Sequence, residues 1–191
     1  MDTMVDLCPP GRLEAALTTE LVDTMRPADA DGFREAWGII ERLWEQTVTR
    51  ARILPAPELH QRVDGEWSFI ETLRHLVFIT DAWVLRAILM DPSPWDPLDL
   101  PHTERPDEPG VPRDLDAQPA LEEMLELRAD RMATVAQILA ELDDEELAGL
   151  IEPSYPGQMS MSVRSCLQIV LNEESAHRLY AERDLQVLAA R

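Results

Sequence analysis

Glu173 and His177 stand one helical turn apart in a long periodic segment near the C-terminus, Val163 to about Ala190. On a helical wheel of about 100° per residue, Cys166, Glu173, His177, Tyr180 and Asp184 share one side, flanked by Ile169, Val170, Val187 and Leu188. Arg164, Gln168, Asn172, Ser175, Arg178, Glu182 and Gln186 fall on the other side, which is expected to face solvent. A carboxylate turned into an apolar interior is costly unless it is paired, hydrogen-bonded or bound to a metal. His75 lies in a second apolar segment, among Leu73, Leu76, Val77, Phe78 and Ile79, and is also expected to point inward. A histidine from one helix and a Glu-x-x-x-His pair from another make three metal ligands of mixed nitrogen and oxygen type. Three protein ligands leave coordination positions open, as catalytic sites require. The plainer alternative is an i,i+4 ion pair beside a core histidine satisfied by an ordinary hydrogen-bond partner. Glu174 falls on the flank of the wheel, where Arg178 is its expected partner.

Other residues carry weaker chemical signals, each with a plain reading beside it. His102 lies in a proline-rich stretch; if that stretch folds over the bundle, His102 is a candidate catalytic proton carrier or extra ligand, and otherwise a solvated loop residue. Arg86 follows the stripe of His75 and is a candidate for binding a substrate carboxylate, against a structural salt bridge. Cys166 is a candidate thiolate, against a small core hydrophobe. Asp184 could orient a ligating histidine, or pair with Arg183 or Arg74. His60 reads as a surface residue, and Trp67, Trp83 and Trp95 as packing residues.

The elements that must position these residues are helical. Phe33, Trp37, Ile40, Leu43/Trp44 and Val48 recur at three- and four-residue spacing, which predicts a helix over Asp31 to Leu54. Ser68 followed by Glu71 reads as a capping box opening a helix from Phe69 to Met90. Pro119 suits the first turn of a third helix running to about Leu142, Asp143 to Glu152 reads as a short helical turn, and Ser160 or Ser162 opens the last helix. Eight of the fifteen prolines lie between Pro92 and Pro119, which makes that stretch a long loop between the second and third helices. No segment alternates with a strand period. The expected fold is all-α: a four-helix bundle over residues 28–191, preceded by an N-terminal extension over 1–27 with a short helix from Leu13 to Met25. The long connection lets neighbouring helices run parallel.

Composition narrows the function. The 191 residues carry 17 basic and 37 acidic side chains, a formal charge of −20, which opposes nucleic-acid and anionic-membrane partners. Every basic residue is an arginine, so Walker-type phosphate binding and Schiff-base chemistry through lysine are excluded. Cys8 and Cys166 form no CxxC, and the start of the chain lacks a signal-peptide pattern. The most apolar stretch, Leu76 to Met90, is interrupted by Asp81 and Arg86. A reduced, soluble, cytoplasmic protein is expected.

The stretch from Asp64 to Leu76 (DGEWSFIETLRHL) and the run from Leu171 to Leu185 (LNEESAHRLYAERDL) resemble the second- and last-helix motifs of the DinB-like superfamily. Asp91 to Trp95 and Leu100-Pro101-His102 add to a likeness spanning about residues 30 to 190. The resemblance implies a four-helix bundle holding a divalent metal on three side chains. Many members use three histidines; here Glu173 stands where the first of a His-x-x-x-His pair would be, which is similar to the mycothiol-dependent maleylpyruvate isomerases. It thus implies His75, Glu173 and His177 as metal ligands, zinc as the expected metal with nickel or iron as alternatives, and mycothiol or another low-molecular-weight thiol as co-substrate. The implied activity is S-transfer to, or isomerisation of, a small electrophilic substrate. The alternative is a non-catalytic metal- or ligand-binding stress-response module. The alanine- and arginine-rich, lysine-free composition suits a high-GC bacterial genome, where mycothiol is often used. A homodimer is expected.

Overall fold

The computed structural model describes residues 25–103, 110–151 and 160–191, so the expected helix from Leu13 lies outside the described residues apart from its last residue. Helix α1 runs from Ala30 to Ala51. Asp29 caps it by accepting from the Gly32 amide at 2.8 Å, and Phe33, Ala36, Trp37, Ile40 and Trp44 form its buried face. A 3-10 turn, Ala56–His60, follows Pro55. Asp64 and Gly65, both at positive φ (53° and 80°), form the centre of a tight turn closed by the Glu66 amide on the Val63 carbonyl at 3.0 Å.

Helix α2, Phe69–Thr80, opens with the expected capping box: Ser68 Oγ accepts from the Glu71 amide and Glu71 accepts from the Ser68 amide. Every α2 residue except Glu71 is buried, as its nearly continuous apolar composition requires. The helix continues over Asp81–Ile88 as a π-helix, ending with the Leu89 amide on the Val84 carbonyl five residues back. The wider turn rotates the residues after Thr80 off the α-helical stripe that includes His75.

Helix α3, Leu121–Glu141, has Ala120 at its cap, so Pro119 precedes the helix and is not in its first turn. Asp143 caps a short helix, α4, Asp144–Ala148. Two two-residue strands, β1 Leu150–Ile151 and β2 Met161–Ser162, pair antiparallel, a feature the sequence pattern was too short to reveal. Helix α5, Val163–Ala189, is capped by Ser162.

Side-chain contacts fix the direction of each helix. Near their starts, α5 reaches the segment before α1 through Gln168 to the Met25 carbonyl and Arg164 to the Pro27 carbonyl; near their ends, Thr47 meets Glu182. Those two helices therefore run parallel. Arg74 of α2 bonds to the segment before α3, and Asp81 farther along α2 bonds to Arg131 of α3, so this pair is also parallel. Arg34 to Leu139 and Arg52 to Glu122 make α1 and α3 antiparallel, as Glu66–Arg183 and His75–Glu173 do for the α2 and α5 pair. The fold is the expected all-α bundle, with parallel neighbours joined by the long loop. Phe33, Ile40, Ile70, Leu73, Leu76, Phe78, Met124 and Leu167 fill one continuous core, each burial contributing about 1.5–3 kcal/mol.

Candidate metal centre

His75 projects from the middle of α2 and has no exposed surface. Its Nδ1 lies 2.9 Å from the carbonyl oxygen of Leu100, in the long loop. A carbonyl only accepts, so Nδ1 carries the hydrogen and Nε2 presents a lone pair. Burial is the main cause that pushes the imidazole down to about 4, with the charges of His177 and His102 acting in the same direction.

From α5, antiparallel to α2, Glu173 and His177 face this lone pair. Glu173 Oε2 stands 3.1 Å from His177 Nε2 and 3.5 Å from His75 Nε2. One donor atom from each of the three residues lies within 4.8 Å of the others. Burial favours the neutral form of Glu173, yet the hydrogen bond from His177, the largest opposing cause, helps hold the carboxyl well below the usual carboxylate range. The side chains of Glu173 and His177 keep 23% and 15% exposure against 0% for His75, so the cluster is closed on the α2 side and partly open on the α5 side.

The 3.1 Å contact alone would suit an i,i+4 ion pair. His75 adds a second observation: its Nε2 is buried without a hydrogen-bond partner among the described residues, and its lone pair points at the Glu173 carboxylate. Two electron-rich atoms facing each other in a buried site fit a cation between them. Two imidazoles and a carboxylate are a donor set that divalent transition metals accept.

The chain matches the DinB superfamily over residues 39–181. The protein belongs to the DinB superfamily. No curated protein and no solved structure matches the chain.

Around the three donors the structure adds an aromatic wall. The Trp67 ring lies 4.6 Å from that of His75 and stacks on His102 and His177 at 5.6 and 5.9 Å. Sequence reasoning treated Trp67 as packing; the tight turn before the capping box, which places it at the start of α2, was the available signal. His102 comes over the bundle as the folded-loop expectation required, its ring 4.2 Å from His75, but it is not one of the three clustered donors. Tyr180 meets His177 edge-on at 6.1 Å, with Arg183 over its ring.

The remaining candidates are occupied elsewhere. Arg86 sits in the π-helical turn and donates to the Asp91 carbonyl at 3.0 Å. Cys166 is buried, and burial pushes its thiol up to about 11, which suits the core-hydrophobe reading. Asp184 pairs with Arg183 at 2.7 Å, while Arg74 bonds to the carbonyls of Leu98, Ala117 and Asp114. Glu174 does not pair with Arg178. It is buried and bonded to both terminal nitrogens of Arg128 from α3, at 3.2 and 2.9 Å. Arg178 and Glu182 do not line a solvent face either; they meet each other and Thr47 between α1 and α5. His60 is half-buried at the end of the 3-10 turn.

Proposed function

We propose that this DinB protein holds a divalent cation on His75, Glu173 and His177 and serves a thiol-dependent reaction on a small electrophile: S-transfer from a low-molecular-weight thiol of the mycothiol type, or thiol-assisted isomerisation. The observation that carries it is the buried Nε2 of His75, a lone pair aimed at an ionised carboxylate. Zinc is the expected ion; nickel and iron suit the same donors. When bound, such an ion supplies Lewis acidity and lowers the pKa of a coordinated water or thiol.

The chain's own residues do the rest. The Leu100 carbonyl fixes the tautomer and orientation of His75. Glu173 contributes one negative charge, so a dication in this site keeps a net positive charge suited to an anionic sulfur. Trp67 and His102 shield the His75 side from water, and the partly open Glu173–His177 side leaves room for a ligand. The partners in this reading are a small-molecule substrate and a second copy of the chain.

Elemental analysis of untreated protein is the first test, with about one divalent ion per chain expected. His177→Ala and Glu173→Ala should lower metal content at least tenfold while leaving the protein folded, since removing a ligand costs more than the roughly 10–100-fold seen for outer partners. Thiol consumption with a small electrophile should disappear on chelation. Activity unchanged after metal removal would overturn the mechanism; a loaded protein that consumes no thiol would leave the binding-module reading.

A further inference from the structure

Three consecutive loop residues, 98 to 100, are fixed against the bundle, two by plain contacts. The Leu98 carbonyl accepts from Arg74 Nε at 2.8 Å, and the Leu100 carbonyl meets His75 Nδ1 at 2.9 Å. The residue between them, Asp99, has no exposed surface. Among the described residues, its Oδ2 receives only a long bond, 3.3 Å, from the Asp96 amide, and its Oδ1 has no donor. A carboxylate placed this way would be buried, charged and nearly without donors, whereas a carboxylic acid brings its own donor.

We propose that Asp99 is a neutral carboxylic acid in the folded protein and that in this form it latches the 96–102 segment onto the bundle and so positions the Leu100 carbonyl against His75. Its bearing on metal binding rests on His75 being a ligand; the latch itself does not.

The groups facing Asp99 support this. From α2 and its π-helical extension come Arg74 and Asp81, from α3 comes Arg131 with Asp130 behind it, and from the loop itself Asp96. Arg74 is committed to three carbonyls. Arg131 is engaged by Asp81 at 2.5 and 3.2 Å and by Asp130 at 2.6 Å. Asp81 is itself fully buried, so a single guanidinium compensates one of two buried acids and the other keeps its proton. Burial first, then the charge of Asp81, pushes Asp99 up to about 9, while Asp81 rises to about 6.

The sign of the pH effect follows. The folded form of Asp99 titrates above the unfolded one, so its contribution to stability is complete below about pH 4 and is lost as pH rises toward about 9. Asp99→Asn copies the neutral acid and cannot titrate. The gap in Tm between D99N and the wild type should therefore widen in favour of D99N from pH 5 to pH 9. At pH 7 the infrared difference spectrum of wild type minus D99N should show a buried carboxylic-acid carbonyl band. Zinc affinity at pH 7 should stay within about threefold for D99N and fall roughly tenfold for Asp99→Ala, the scale of losing an outer partner of a ligand. Absence of the band or a Tm gap independent of pH would overturn the latch, and a D99A variant that binds zinc as a zinc-binding wild type does would overturn its bearing on His75. Were the wild type to take up no zinc, nickel or iron, the proposed function would fall, while the band and the Tm gap would still decide the latch. If D99A does not fold, the D99N comparison carries the test alone.

Discussion

Glu173 and Glu174 are adjacent on α5, yet one faces two imidazoles and the other is closed between α5 and α3 by Arg128, whose guanidinium also lies 4.9 Å from the Trp44 ring. Removing one partner of a buried ion pair leaves the other charge uncompensated. Glu174→Ala should therefore destabilise the protein by about 3–5 kcal/mol, read by denaturant unfolding. Glu173→Ala should leave the unfolding midpoint near that of metal-free wild type and abolish metal uptake. A helical wheel placed Glu173 and His177 inward because their neighbours repeat at helical spacing. It misplaced Glu174, Arg178 and Glu182 because α5 packs on α1 and α2 and also reaches α3, so its covered arc is wider than its apolar stripe. Polar residues filled the extra width, and their partners on the other helices lie more than 40 residues away in sequence. The role of Asp99 was equally hidden, since a single aspartate in a proline-rich loop carries no periodicity.

Among the elements, the start of α2 was the most legible: Ser68 and Glu71 satisfy two amides that the helix leaves unpaired. Ser68→Ala should cost about 1 kcal/mol. Burial works against ionisation of Glu71, but its bonds to Arg62 and Ser68 prevail and hold its carboxyl below the usual value. A lowered folded pKa gives stability that is present above the unfolded titration and lost as pH falls through the folded one. Thermal melts of Glu71→Gln should thus trail the wild type at pH 7, and the gap should close on acidification below about pH 4. The π-helical turn after Thr80 was not legible, because its residues are as apolar as those before it. That turn is why Arg86, which an α-helical wheel aligns with His75, ends at the Asp91 carbonyl.

At the scale of the whole molecule, a charge of −20 on 191 residues sets a repulsion that the compact state must overcome. Raising ionic strength from about 10 to about 150 mM shortens the Debye length from roughly 30 to 8 Å and should raise Tm, measured in sodium chloride at constant pH. A melting point that falls with salt would show that ion pairs such as Arg183–Glu66 and Arg52–Glu122 outweigh the excess charge. Four amphipathic segments and one long proline-rich link were enough to predict the bundle and the parallel neighbours. The two-residue strands escaped notice because they are shorter than any pattern that could announce them.

The parallel pairing of the first and last bundle helices has a consequence during synthesis. Gln168 to the Met25 carbonyl and Arg178 to Thr47 span 143 and 131 residues, so these contacts close only after nearly the whole chain exists. Folding is therefore slower than for an up-and-down bundle of equal size, whose contacts are local. Until α5 emerges, the face built from Phe33, Trp37, Ile40 and Trp44 stays incompletely covered, which makes the nascent amino-terminal half the more aggregation-exposed form.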